Sequence, residues 1–325
     1  MMRNLKVSAK SWIKGILFTV ATKSGMWKFF TRKAKKPKIL MYHRLTDSTI
    51  IPGISSANFE AHLQHLCKYY QVVPVEEIIS AANGKSENTN KVALTFDDGY
   101  VDFYEKAWPL LKKYNVPATV YITTDFIDQK QWMWPDKVRV MLNTTSLSQV
   151  EIPKVGILKL SEQNFEKNWH SISDHCLTLQ ERERDSFLHE LVALLNVTIS
   201  DFPTTDFAAL TWQQLQDMQK EGLDIGSHTV THPILTRIND DQLKSELMES
   251  KRVIENKLAT EIKGICYPNG MPSDVSAAVT QSAQECGYHY GLIAYTDDVA
   301  KNNIFKTNRI PAAENNAAFA FSLLT

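Results

Sequence analysis

From residue 38 onward the chain alternates between short apolar runs and longer stretches whose apolar residues recur every three or four positions. Such runs read as buried strands, and the wider spacing reads as one face of a helix. Residues 39–42, 92–96 and 118–123 are runs of the first kind. Between them Phe59, Leu63, Leu66 and Tyr70 mark a helix that Ser55 or Ser56 can cap, and Phe103, Ala107, Leu110 and Leu111 mark another over 100–114. A small strand at 72–73 and a short helix at 75–82 complete this part. The alternation returns after about 208, with a helix at 211–221 stopped by Gly222 and a strand at 223–226. Leu243, Leu247, Ile254 and Leu258 then line a helix at 240–258, a strand follows at 264–267, and Ser273 and Gly287 bracket a helix at 273–286. The last strands fall at 291–294 and 307–310. Strands separated by helices make βαβ units, so the pattern predicts an α/β fold with about seven parallel strands. Residues 125–208 break the rhythm. Their clearest element is a helix at 180–195, on Phe187, Leu188, Leu191, Val192 and Leu195. This stretch reads as a mostly helical insertion on one face of the sheet rather than a separate domain.

Composition narrows the class. A chain of 325 residues with 43% hydrophobic and 22% charged positions builds a sizeable core and is not a disordered polymer. It has no run of 18 apolar residues, the length a membrane-spanning helix needs. The cysteines, at 67, 176, 266 and 286, are too scattered for a disulfide framework or a paired-cysteine zinc site, and read as small buried hydrophobes.

The balanced total of 36 bases and 36 acids conceals a split, because residues 1–38 hold eleven of the bases and none of the acids. Within residues 1–37 the side chains of Leu5, Trp12, Ile13, Ile16, Val20 and Trp27 share a helical face, with Lys10 and Lys14 on another. A basic amphipathic leader of this kind lies on an anionic membrane surface. Residues 1–36 are therefore expected to hold the protein peripherally at the cytoplasmic face of a membrane. Export through a weak or uncleaved signal is the alternative, disfavoured by a short apolar core and no small-residue cleavage site. With the basic charge confined to the leader, nucleic acid is not an expected partner.

Chemistry concentrates at the carboxyl ends of the predicted strands, where α/β sheets and barrels place their sites. One strand ends in Thr95-Phe96-Asp97-Asp98-Gly99, with two adjacent carboxylates where a helix cap needs one. Another leads into Gly226-Ser227-His228-Thr229-Val230-Thr231-His232-Pro233, with two histidines four residues apart. One aspartate and two histidines form a first-row metal shell with open positions, leaving the second aspartate as a base. Cys266-Tyr267-Pro268-Asn269-Gly270 is a strand followed by a rigid turn, and Met41-Tyr42-His43-Arg44 ends the first strand in a histidine. Trp132 and Trp134 read as buried aromatics, with stacking on sugar rings as the alternative.

With the aspartate pair and the spaced histidines in this order, residues 38–312 resemble a polysaccharide deacetylase of carbohydrate esterase family 4, the NodB-homology domain. The resemblance implies a distorted (β/α)7 barrel over residues 38–325 and a divalent metal ion, usually zinc. It makes Asp97 the general base and Asp98, His228 and His232 the metal ligands, and gives the backbone N–H of Tyr267 a share in the oxyanion site. Two features depart from the family. The arginine that usually precedes the Tyr-Pro segment is missing from Gly264-Ile265-Cys266, and the late Leu-x-His motif that supplies the general acid is absent. Leu40-Met41-Tyr42-His43 resembles a subgroup with circularly permuted motifs, which makes His43 the candidate acid. Arg309, within Asn308-Arg309-Ile310-Pro311, is the candidate replacement guanidinium. The implied activity is removal of acetyl groups from N-acetylated sugars of a surface polysaccharide or its lipid-linked glycolipid precursor. A non-catalytic carbohydrate-binding module on the same fold, and a deformylase of a lipid-linked amino sugar, are the alternatives. A phosphoesterase would want a second metal and more ligands than the sequence offers.

Overall fold

The structure is a computed structural model. It describes residues 27, 31, 36–48, 50–82, 90–203, 205–294 and 303–324. These fall into two compact units, one built from the chain up to 47 with 52–124 and 210–325, the other from 48–51 with 125–209. The strands, in chain order, are β1 (Lys38–Tyr42), β2 (Gln71–Val72), β3 (Lys91–Phe96), β4 (Thr119–Ile122), β5 (Gln149–Ile152), β6 (Gly156–Lys159), β7 (Asp224–Ser227), β8 (Gly264–Cys266), β9 (Tyr290–Ile293), β10 (Thr307–Asn308) and β11 (Ile310–Pro311).

In the first unit every strand pairs in parallel, in the order β10-β9-β8-β7-β4-β3-β1-β11, with β2 beside the start of β3. The two ends of that order, β10 and β11, are halves of one segment interrupted at Arg309. The sheet therefore almost closes on itself, and counting β10 and β11 as one strand gives seven, the distorted (β/α)7 barrel. Strands β4 and β9 are buried along their whole length, as parallel strands covered on both faces are. Gly226 and Gly291 lie under the rings of Tyr121 and Tyr267, where a β-carbon would overlap the ring, so a side chain at either position would displace a core tyrosine. A cluster of Ile39, Ala93, Tyr121, Cys266, Tyr290 and Leu292 joins these strands to Val75, Ile78 and Ile79 of helix Val75–Ala82.

Three elements differ from their sequence patterns for local reasons. The expected strand at 307–310 is broken because Arg309 turns its side chain among the strands rather than continuing one ladder. The helix expected over 100–114 opens with a π turn, Phe103–Ala107, before Trp108–Tyr114. Pro109 has no N–H to give the carbonyl of Glu105, and a widened turn absorbs the missing bond. The helix expected at 273–286 starts at Ala277, because Ser276 rather than Ser273 accepts the capping bond, from the amide of Val279. Of the cysteines, Cys176 and Cys266 are buried as read, but Cys67 is exposed on its helix and Cys286 only half-buried.

Most of the basic leader lies outside the described residues. Trp27 and Thr31 are described; both are helical and buried. Trp27 makes edge-to-face contacts with His65 at 5.4 Å and Phe321 at 5.3 Å, from helices Ser56–Tyr69 and Asn316–Ser322. This corrects one part of the leader reading, since Trp27 spends its apolar surface on the protein and not on lipid.

The second unit contains more than the single helix its pattern showed. Helices Trp134–Thr144, Phe165–Cys176 and Glu181–Leu194 pack with an antiparallel hairpin of β5 and β6 around Met141, Ile152, Ile172 and Leu191. The hairpin was hard to see because β5 alternates exposed and buried residues over only four positions. Trp132 is buried against Phe207 and Ile51, and Trp134 packs on the helical cluster, so both are core aromatics.

Candidate active site

The described candidate residues converge at the carboxyl ends of β1, β3, β7 and β8 and at the break between β10 and β11. Asp97 extends the β3 ladder by one residue, its amide donating to Tyr42 O at 3.0 Å. Asp98 then enters the left-handed region at φ +73, followed by Gly99 at φ +92. Adjacent strand residues point to opposite faces, and this reversal turns both carboxylates into one cleft. Glycine bears that backbone without strain, but Asp98 does so at a cost on the order of 1–3 kcal/mol. Thr229 at φ +71 and His232 at φ +61 store similar strain in the loop after β7. That loop is fastened by His228 N–H to Ile122 O at 2.8 Å, by Thr124 N–H to Thr229 O at 3.2 Å, and by His232 N–H to Thr229 Oγ1 at 3.1 Å.

Asp98 Oδ1 lies 3.5 Å from His228 Nε2 and 3.5 Å from His232 Nε2, and the two imidazole nitrogens are 3.2 Å apart. Three donors each about 2.1 Å from a tetrahedral ion would stand about 3.4 Å from one another, so the triangle fits a divalent cation. The ring of His228 is oriented for that task. Its Nδ1–H donates to Cys266 O at 2.7 Å, which turns Nε2 toward the triangle. Burial alone would raise the Asp98 carboxyl, but the hydrogen bond from His228 and the charges of His43 and His232 hold it well below its ordinary value. Burial, and then the charge of His228, push His232 down to about 4, so its nitrogen is unprotonated at neutral pH.

Asp97 has a different partner. Arg309 grips it with both arms, Nη1 to Oδ1 and Nη2 to Oδ2, each at 2.7 Å, and both residues are almost wholly buried. Nη1 also donates to Thr95 Oγ1 at 3.0 Å, and Nη2 reaches Cys266 Sγ at 3.0 Å. The guanidinium thus occupies the space beside the short side chain at position 266. Burial works to raise the Asp97 carboxyl, but the charge and hydrogen bonds of Arg309 override it and hold the group below its usual range. Two neighbouring carboxylates can both stay ionised because each has its own cationic or histidine partner. Burial pushes the Cys266 thiol up, so it remains neutral.

His43, half-exposed, places Nε2 3.8 Å from Asp97 Oδ2, and so faces the same cleft. The next residue fixes its strand end: Arg44 Nε donates to Asp102 Oδ2 at 2.6 Å, and the guanidinium stacks over Tyr100 at 3.9 Å. Tyr267 is not placed as its motif implied. Its amide donates to Leu292 O at 3.1 Å within the β8–β9 ladder, so that N–H is already engaged and does not point a free donor into the cleft. Its ring packs on Gly291.

Glu246, buried on helix Asp240–Leu258, also ties down the loop that carries His232 and was not singled out from the sequence. The signal was present, because Glu246 falls on the same face as Leu243, Leu247, Ile254 and Leu258, where an acid has no reason to be unless it is bonded.

A sequence model described as polysaccharide deacetylase matches residues 84–291. The chain belongs to the polysaccharide deacetylase family. The matched span contains Asp97, Asp98, His228, His232 and Cys266, but neither His43 nor Arg309. YxkH of Bacillus subtilis (strain 168), whose name also places it among polysaccharide deacetylases, is 23% identical over 264 residues, 81% of this chain and 66% of YxkH. The chain therefore spans just under two thirds of that relative's length. Among solved structures, the Streptococcus pyogenes deacetylase PplD, determined with acetate, aligns with a TM-score of 0.60 and 21% identity over 89% of this chain and 98% of PplD. IcaB from Ammonifex degensii aligns with a TM-score of 0.56 and 13% identity over 89% of this chain and 97% of IcaB. At these identities the likeness speaks for the fold.

Proposed function

We propose that this chain is a metal-dependent N-deacetylase of an acetylated amino sugar, carried by a surface polysaccharide or its lipid-linked precursor. The observation that carries the reading is the meeting of Asp98 Oδ1, His228 Nε2 and His232 Nε2 beside an Arg309-clamped Asp97. The three donors would hold one divalent ion, with zinc favoured by a set of two imidazoles and one carboxylate. Such an ion, when bound, acidifies a water and offsets the negative charge that builds on a carbonyl oxygen.

The chain's own groups do the rest. Asp97, kept ionised by Arg309, accepts a proton from the attacking water as the oxygen–carbon bond forms. As the carbon–nitrogen bond breaks, the sugar nitrogen leaves as an amine and needs a proton. His43 places Nε2 3.8 Å from Asp97 Oδ2 and is the group to supply it. Arg309 touches no substrate in this scheme; it orients Asp97 and keeps it charged. The absent family arginine was the one argument for a non-catalytic binding module, and Arg309 brings a guanidinium beside Cys266 from the break between β10 and β11. The early histidine and late arginine favour the permuted-motif subgroup. The basic leader supports attachment to an anionic membrane face.

The test is product analysis with oligomers of N-acetylglucosamine and their N-formyl counterparts. Acetate release from the former, lost in Asp97→Asn, supports the reading. Formate release alone would favour a deformylase, and no release of either acid from any amino sugar tested would refute hydrolysis.

A further inference from the structure

The two histidines of the cluster are oriented by different means. His228 is fixed through its ring, by the bond from Nδ1 to Cys266 O. Among the described residues no group hydrogen-bonds Nδ1 of His232, whose side chain is a quarter exposed. What aims that ring is its backbone, held at φ +61 in the left-handed region that few non-glycine residues occupy. The backbone is in turn held by one side chain. Glu246 Oε2 accepts from the amides of Val230 at 2.8 Å and Thr231 at 3.0 Å, and Oε1 accepts from Thr231 Oγ1 at 2.6 Å. Glu246 is 5% exposed and stands on helix Asp240–Leu258. That helix is anchored beneath the same loop, because Ser250 Oγ meets Ser227 Oγ at 2.8 Å and the Ser250 hydroxyl also bonds the Glu246 carbonyl at 2.7 Å.

The geometry points to Glu246 as a positioning residue for the metal centre: by clamping the two amides between the histidines, it sets where His232 Nε2 stands relative to His228 and Asp98. Charged acceptors bind amides about twice as strongly as neutral ones, which suits a clamp that must hold two left-handed residues, Thr229 and His232, in place. The inference rests on the metal reading above. It goes beyond that reading in placing part of the site's affinity on a residue that never touches the ion. Outer groups that orient a ligand are typically worth 10–100-fold in metal affinity.

The experiment measures zinc affinity of the full chain by competition with a chromophoric chelator, together with the visible spectrum of the cobalt(II)-substituted protein, which reports ligand geometry. Glu246→Leu removes all three bonds and keeps an apolar helix face. It is expected to weaken zinc binding roughly 10–100-fold and to change the cobalt spectrum. Glu246→Gln retains a carbonyl oxygen for the two amides and an NH2 that Thr231 Oγ1 can accept, so affinity should recover to within about threefold of the parent. If Glu246→Leu does not fold, Glu246→Asp, one methylene short of the loop, is read the same way. Parental zinc affinity and cobalt spectrum in a folded Glu246→Leu or Glu246→Asp would overturn the inference, as would a Glu246→Gln no better than either. Failure of the parent protein itself to bind zinc or cobalt would instead strike the metal reading, so the two failures are distinguishable.

Discussion

Replacing Arg309 by leucine removes the guanidinium and keeps an apolar stem at the break between β10 and β11. In the parent protein Asp97, 2% exposed, has both carboxylate oxygens bonded to Arg309, and its other side-chain donor is the weak thiol of Cys266 at 3.5 Å. Breaking a buried pair by deleting one partner costs roughly 3–5 kcal/mol, because the remaining charge stays buried without compensation. The cost must depend on pH. In the parent, Asp97 is held below its ordinary value, so its pair contributes stability above the unfolded carboxylate range and loses it only as pH falls through the lower folded value. In Arg309→Leu burial is no longer opposed by the guanidinium, and the carboxyl rises. Its charge then destabilises the variant at high pH, and protonation relieves the penalty as pH falls. Denaturant unfolding of metal-stripped protein at pH 8 and pH 5 should therefore show a loss near 3–5 kcal/mol at the higher pH and a clearly smaller one at the lower. A double-mutant cycle with Asp97→Asn isolates the pair, with coupling of more than about 1 kcal/mol expected at pH 8. Activity at neutral pH should fall by about 10²–10⁴-fold as the base becomes protonated and loses its orientation. An equal penalty at both pH values, or no coupling in the cycle, would refute the argument that Arg309 keeps Asp97 charged.

Three further outcomes follow from particular contacts. His43→Ala should lower the deacetylation rate by about 10²–10⁴-fold with metal content and melting temperature unchanged, because the ring is half-exposed and carries a proton rather than the fold; an unaltered rate would remove His43 from the mechanism. Trp27→Ala should cost roughly 3–5 kcal/mol, on the order of 10 °C in melting temperature, because the ring is wholly buried against His65 and Phe321; a shift below about 2 °C would mean that the contact contributes little. The full chain should co-sediment with phosphatidylserine-containing vesicles at low ionic strength and release in salt, while a chain lacking residues 1–26 should not; equal recovery with neutral vesicles would contradict the electrostatic tether.

The parts of the site that could be read from sequence were those in which short-range spacing encodes geometry. Asp97 and Asp98 are adjacent, and His228 and His232 are four apart, so a turn or a loop suffices to aim each pair. Strand ends were legible for the same reason, since an apolar run followed by polar residues marks where a sheet opens into its cleft. Arg309 lies 212 residues from Asp97, and sequence could mark it only as a candidate; the closure of the sheet by β10 and β11 brings the two together. Tyr267 shows the opposite case. Its motif pointed to the cleft, but whether an amide is free depends on the neighbouring strand, and β9 takes that one through Leu292 O. Glu246 was visible as an acid on an apolar helical face, but what it bonds is a loop fifteen residues away whose backbone conformation no local pattern specifies. The hairpin in residues 125–209 was missed because four-residue strands yield too few positions for a period to show.

If Asp98, His228 and His232 hold one ion, hydrolysis by Asp97 depends on it. The most direct measurement is a zinc titration of chelator-stripped protein, following acetate release from N-acetylglucosamine oligomers against bound metal. Release should be negligible before addition and rise linearly to a break at one ion per chain, and both binding and release should be lost in His228→Ala. Full activity in the stripped protein, or a His228→Ala variant that binds zinc and releases acetate like the parent, would contradict that dependence.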